Sequence, residues 1–135
     1  MTSPKTILAR ILFFLYLAAI ALLCFMHADK FPDVQKTILA IPTDKVVHFI
    51  MFFPFPILAF LSYDHMTKKL GPAIIFSALT LVCGLLIAYG TELIQRILPT
   101  RAMDINDFIA DALAISISCA IVFIVDVTNL KARNR

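Results

Sequence analysis

Charged residues are scarce in this chain of 135 residues, whereas apolar residues are abundant. Aspartate, glutamate, lysine and arginine make up 16% of the sequence, and hydrophobic residues make up 61%. An ordinary soluble domain carries about a quarter charged residues. A chain of this size has too little interior to hide the surplus apolar surface. The composition therefore excludes an ordinary soluble domain and indicates a protein that lies in lipid.

The sequence also lacks the motifs of several common chemistries. Its three glycines are too dispersed for a phosphate-binding loop, and neither G-x-S-x-G nor H-E-x-x-H occurs. Cys24, Cys83 and Cys119 share no metal-ligand spacing, and each lies in an apolar run, which predicts buried free thiols. The twelve basic residues are scattered in ones and twos, which argues against a nucleic-acid partner.

Four apolar stretches are long enough to cross a bilayer, whose hydrocarbon core of ~30 Å requires about 20 residues of helix. They cover approximately residues 7–26, 46–63, 73–90 and 108–127, and the third is expected to continue as an amphipathic turn to Leu98. Pro54 and Pro56 near the middle of the second stretch predict a kink, which lipid tolerates only if neighbouring helices satisfy the freed carbonyls. The sequence thus predicts an all-α polytopic membrane protein. It would be a bundle of four transmembrane helices in a single domain over residues 1–135.

Basic residues in the short loops predict the orientation of this bundle. With both termini in the cytoplasm, seven basic residues lie inside and five lie outside. The acidic residues are placed more unevenly, because only Asp64 and Asp126 fall at the inner side in this arrangement. The sequence therefore predicts a polar site at the outer face of the membrane, formed by three groups of residues.

The first group is Asp44-Lys45-x-x-His48, at the start of the second span. Asp44 and His48 are four residues apart, so they share one helix face. In the structural interpretation, Thr43 or Asp44 caps the helix and His48 is an interfacial residue. In the functional interpretation, His48 is a proton carrier or a ligand that a carboxylate orients.

The second group is Glu92-x-x-Gln95-Arg96 at the end of the third span, followed by Pro99 and Arg101. Glu92 and Arg96 have the spacing of an ion pair within a helix. Glu92 nevertheless follows a long apolar run, and ionisable residues at membrane depth are functional candidates. Structural pairing and function both stay open for these residues.

The third group is Asp104-x-x-Asp107-x-x-x-Asp111, which enters the fourth span on one helix face. Asp104 or Asn106 is the predicted N-cap, and Asp107 suits the positive end of the helix dipole. Asp111 lies one turn deeper, where a carboxylate must be protonated, bound to a cation or paired with a base. The bases considered for that pairing are Lys45, Arg96 and Arg101. Small residues at a four-residue interval predict that this helix is the central one of the bundle. They are Ala110, Ala114 and Ser118.

Taken in order, these motifs resemble those of the VanZ-like family, over about residues 7–127. The motifs are Asp44-Lys45-x-x-His48-Phe49-x-x-Phe52, Glu92-x-x-Gln95, Pro99-x-Arg101 and Asp107. The resemblance implies a small protein of the bacterial cytoplasmic membrane. The family takes its name from a protein associated with low-level teicoplanin resistance, but the resemblance does not imply that this copy confers resistance. One departure is that Asp111 stands where the family usually has asparagine, and Ala114 where it usually has glycine.

Three functions stay open from the sequence. The first is binding of an anionic lipid or cell-wall precursor head group, with arginine and lysine supplying charge and Gln95 and His48 supplying hydrogen bonds. The second is a membrane enzyme that uses acids and His48 as acid, base or metal ligands. The third is an ion-coupled carrier, for which four helices are few unless the protein dimerises. The candidates for catalysis are His48, Glu92 and Asp107. The candidate binding residues are Asp44, Lys45, His48, Glu92, Gln95, Arg96, Arg101, Asp104, Asp107 and Asp111. No motif identifies a cofactor.

Overall fold

The fold is all-α, as predicted. A computed structural model of the protein describes residues 3–25, 37–38, 41–63, 69–98 and 103–133. The helices are α1 Pro4–Phe25, α2 Thr43–Phe52, α3 Pro54–Tyr63, α4 Leu70–Gln95 and α5 Ile105–Arg133. A small antiparallel hairpin precedes α2. Its strands, β1 Thr37–Ile38 and β2 Ile41–Pro42, pair Thr37 with Pro42 and Ile38 with Ile41.

These helices provide four segments that are long and apolar enough to cross a membrane: α1, α2 together with α3, α4, and α5. All four predicted spans fall on these segments, but each observed segment begins three residues before its predicted start. The difference arises because a helix's first turn tolerates proline and polar residues, which an apolar count leaves out. The predicted amphipathic continuation of the third span is found as helix to Gln95, followed by a turn to Leu98. Helix α5 continues past its predicted end at residue 127 to Arg133, because the last turn of a helix at the membrane surface accepts polar and basic residues that an apolar count leaves out.

The second span is interrupted where its prolines predict a kink. Helix α2 ends at Phe52 and α3 begins at Pro54, with Phe53 between them at helical dihedral angles of −58° and −39°. Near this break, the Tyr16 hydroxyl of α1 donates a hydrogen bond of 2.6 Å to the Met51 carbonyl. A hydrogen bond from a neighbouring helix therefore supports the end of α2, next to the Ile50 and Phe52 carbonyls that Pro54 and Pro56 leave without a helical N–H donor.

Helix α5 is the most buried of the four membrane-length segments, which agrees with the close packing that its small residues predict. It is not the helix in contact with all the others, because α1 packs mainly against α3 and α4. Helix α5 packs against α2, α3 and α4, and its Ala114 and Ser118 are fully buried. The opposing helices approach closely at Gly84 of α4. A Cβ atom at this glycine would lie 3.0 Å from Ile115 Cγ2 of α5 and 3.1 Å from the Phe55 ring of α3. The absence of a side chain at Gly84 thus allows three helices to pack together.

The outer surface of the bundle is largely apolar, with exposed side chains such as Leu86 and Ile124 on its spans. This distribution suits lipid and not water. All three cysteines are free, and Cys24 and Cys119 are buried as predicted, but Cys83 is exposed. The prediction of a buried Cys83 was wrong because both the lipid-facing and the inward-facing sides of a transmembrane helix are apolar.

Candidate functional site

A buried polar cluster forms where the first turns of α2, the last turns of α4 and the first turns of α5 meet. Its members are His48, Glu92, Asp107 and Asp111, whose exposed fractions are 6%, 0%, 8% and 0%. The three sequence groups come together at this end of the bundle because successive spans run in opposite directions. The predicted convergence of His48, Glu92 and Asp107 is therefore found in the structure.

Lys45 of α2 contacts the more exposed carboxylates of the site. Its ammonium lies 2.8 Å from an Asp44 carboxylate oxygen and 2.6 Å from an Asp104 oxygen, and it also donates to Asp107. Asp104 lies just before α5, and the hydrogen bond from Lys45 holds the pKa of its carboxyl group below the ordinary value. The positive charge of Lys45 is thus already balanced by acidic residues of this protein.

His48 lies among the three buried carboxylates. Its Nδ1 atom lies 3.1 and 3.3 Å from the two Asp111 oxygens and 4.0 Å from Glu92 Oε1. Its Nε2 atom lies 3.7 Å from Asp107 Oδ2. The carboxylate in contact with His48 is therefore Asp111, and not Asp44, which the spacing along α2 suggests. This contact depends on how α5 packs against α2, so it cannot be predicted from the spacing of residues within α2.

This contact also corrects the partner expected for Asp111. Neither Lys45 nor Arg96 contacts Asp111 within the described part of the chain; its partner is His48. Arg101, the third expected partner, lies outside the described residues together with Pro99, so its role stays a prediction.

Glu92 is fully buried at the end of α4. Its Oε2 atom accepts the backbone N–H of Asp104 at 3.2 Å, which links the end of α4 to the start of α5. Its Oε1 atom has no hydrogen-bond partner among the residues that the structure describes. The ion pair that the spacing of Glu92 and Arg96 allows does not form among the described residues, since Arg96 is exposed while Glu92 faces the interior. Gln95, one turn beyond Glu92, is also buried.

The two helix starts at the site differ in how they are capped. Asp104 precedes α5, and its Oδ1 atom accepts the Asn106 backbone N–H at 2.8 Å, which confirms Asp104 as the N-cap. In contrast, α2 begins at Thr43, and Pro42 at its N-cap position makes no side-chain cap hydrogen bond. The prediction that Thr43 or Asp44 is the N-cap of α2 was wrong, because the helix already begins at Thr43.

The arrangement can transfer protons or hold a cation. His48, Glu92 and Asp107 each offer one ligand atom, and these atoms lie within 4.8 Å of one another. Asp44, Asp104 and Asp107 also lie that close together, but Lys45 contacts all three of them. The sequence interpretation did not single out Tyr16, whose bond to α2 helps to hold the second span. The sequence feature that could have identified Tyr16 is its position as the one tyrosine in the apolar first span.

Comparison with known proteins gives a family and no closer relative. No curated protein and no solved structure matches the chain. A family profile described as VanZ/LLP1 matches residues 13–126. The matched region includes every residue of the buried polar cluster and most of the four membrane-length segments. The chain therefore belongs to the VanZ/LLP1 family.

Proposed function

We propose that this protein binds the phosphate-bearing head group of a membrane lipid or of a lipid-linked cell-wall precursor at the buried polar cluster. The observation that carries the proposal is the enclosure of four ionisable residues, His48, Glu92, Asp107 and Asp111, together at one end of a bundle whose spans are largely apolar. Ionisable residues within membrane spans mark substrate or ion sites. The end of a bundle is also the depth at which lipid head groups lie.

The recognising groups in this proposal are at the end of α4. Arg96 is exposed at the C-cap of α4, and Gln95 is buried one turn after Glu92. The planar fork of arginine binds two phosphate oxygens at once, and a glutamine amide supplies a further donor. Arg101 acts with Arg96 in the proposal. Lys45 contributes less, since three carboxylates already surround its ammonium.

The proposal includes a location. The protein lies in the bacterial cytoplasmic membrane with both termini in the cytoplasm, so the site faces the outer leaflet. The seven-to-five distribution of basic residues supports this orientation. A cell-wall precursor exposed at that leaflet would connect the site to glycopeptide susceptibility.

Native mass spectrometry of the protein extracted from its own membranes tests the proposal. We expect a phosphate-bearing lipid to be retained by the wild type and lost from Arg96→Gln. Lys69→Gln is the matched control, because Lys69 is also exposed but lies at the opposite end of α4. Absence of a retained phosphate-bearing lipid, or equal loss in both variants, contradicts the proposal.

A membrane enzyme is the second candidate, and the position of His48 favours it. The imidazole contacts Asp111 through Nδ1 and faces Asp107 with Nε2, an arrangement suited to general acid–base chemistry. Turnover of a phosphorylated lipid in proteoliposomes, abolished in His48→Gln, would support the enzyme. Retention of the lipid without turnover would leave binding as the function.

A further inference from the structure

Negative charge dominates the site. Five carboxylates meet there, those of Asp44, Glu92, Asp104, Asp107 and Asp111, against the two bases Lys45 and His48. Carboxylates that lie close together in a medium of low dielectric constant repel one another unless protons or cations neutralise them. An anionic head group would increase this repulsion. Among the described residues, the negative charges of the carboxylates therefore exceed the positive charges that contact them, and a further positive charge would reduce the repulsion.

Glu92 shows where such a charge would lie. Its side chain is completely buried, and Oε1 has no hydrogen-bond donor among the described residues. This oxygen faces His48, with 4.0 Å between Oε1 and Nδ1. A buried carboxylate oxygen without a donor or cation is unfavourable and rare in folded proteins. Its partner is therefore expected between Glu92, His48 and Asp107.

We propose that His48, Glu92 and Asp107 together bind one divalent cation of the Mn²⁺ or Zn²⁺ class. Their ligand atoms lie within 4.8 Å of one another, so small side-chain shifts bring them to metal–ligand distances of about 2.0–2.3 Å. An imidazole ligand favours transition metals over Mg²⁺ and Ca²⁺, while the two carboxylates suit a hard divalent ion. The cation supplies the partner that Glu92 Oε1 lacks.

The surrounding contacts orient this ligand set. Asp111 contacts Nδ1 of His48, so Nε2, the atom that faces Asp107 Oδ2, is the nitrogen left for the cation. A rotation of the Glu92 side chain would bring Oε1 from its position 4.0 Å from Nδ1 to the same edge of the ring. A carboxylate that holds the other nitrogen of a metal-binding histidine is the usual arrangement in metalloproteins. Lys45 donates to Oδ1 of Asp107, so Oδ2 remains directed towards His48. Asp111 and Lys45 are positioning residues in this proposal.

The cation also explains how an acidic site accepts an anion, and this step rests on the proposed head-group function. Three protein ligands leave coordination positions open on a metal that takes four or more. A phosphate oxygen fits such a position. Arg96 then needs to contact only the outer phosphate oxygens.

Titration with Mn²⁺, followed by electron paramagnetic resonance, tests the cation site in full-length, metal-free protein without added lipid. We expect one Mn²⁺ to bind per chain and Glu92→Gln to weaken binding by about tenfold or more. Asp126→Asn is the control, because it removes a buried carboxylate on α5 about 22 Å from Asp111 along the helix. It should leave the affinity unchanged. No saturable binding, or equal effects of the two substitutions, would overturn the proposal.

Two further measurements test the cation site in the wild-type protein, so they apply even if Glu92→Gln fails to fold. Electron spin echo envelope modulation of wild-type protein with Mn²⁺ should show coupling to a histidine nitrogen, and its absence would overturn the cation site. Native mass spectrometry before and after chelation separates the two proposals. Lipid retained without any Mn²⁺ site overturns the cation and leaves head-group binding. An Mn²⁺ site without retained lipid supports the cation and contradicts head-group binding.

Discussion

His48 of α2 and Asp111 of α5 contact each other in the interior of the bundle, with Nδ1 at 3.1 and 3.3 Å from the two carboxylate oxygens. The contact places a partner beside a carboxylate that is fully buried, where an isolated carboxylate would be very unfavourable. It also fixes which imidazole nitrogen faces Asp107. The geometry of the whole cluster therefore depends on this pair.

Asp111→Asn should be tolerated, because the amide oxygen can accept the same Nδ1–H bond. We expect a folded protein whose Mn²⁺ affinity changes little, whereas Asp111→Leu should lower that affinity by about 10–100-fold by releasing the imidazole. Thermal unfolding in detergent and Mn²⁺ titration measure the two effects. Equal damage from Asn and Leu would show that the negative charge itself is required.

Lys45→Met should destabilise the protein by about 1–3 kcal/mol, because carboxylates on α2 and α5 lose the charged donor between them. Asp44→Asn is the control, since it removes only one of the three acids around Lys45 and should have a much smaller effect. Mn²⁺ should restore part of the stability lost in Lys45→Met. If Asp44→Asn destabilises the protein as strongly, Lys45 does not act as the common partner of the acids.

Gly84→Leu should weaken packing between α3, α4 and α5. Even a Cβ atom there approaches Ile115 and Phe55 within 3.0 and 3.1 Å, and overpacking a tight interior costs about 1–3 kcal/mol or more. Gly90→Leu places the same side chain on the same helix where nothing lies within 4 Å of the added Cβ. Thermal unfolding should separate the two variants, and equal stability would contradict the packing described.

Accessibility of introduced cysteines tests the proposed orientation. In a background with Cys24, Cys83 and Cys119 replaced, Lys36→Cys and Arg101→Cys should react with a membrane-impermeant reagent in intact cells. Lys68→Cys and Arg133→Cys should react only after the cells are opened. Labelling of either inner site in intact cells would reverse the proposed topology.

The sequence was sufficient for the spans and for the gathering of polar residues at one end, because apolar length and chain reversal determine both. It was insufficient for the partners within the site. The contact of His48 with Asp111, in place of Asp44, depends on how α5 packs against α2. Burial of Glu92 with Arg96 exposed depends on the rotation of α4, which a nearly uniform apolar sequence does not reveal. The exposure of Cys83 is a further consequence of that rotation.

Electron–nuclear double resonance on Mn²⁺ in the protein, with its co-purified lipid retained, tests whether the metal ion and the lipid head group share one site. We predict a ³¹P coupling from a head group bound to the same ion that is coordinated by His48, Glu92 and Asp107. The coupling should be lost in Glu92→Gln and kept in Asp126→Asn. Site-bound Mn²⁺ without a ³¹P coupling in the wild type, or a coupling that survives in Glu92→Gln, would contradict this prediction.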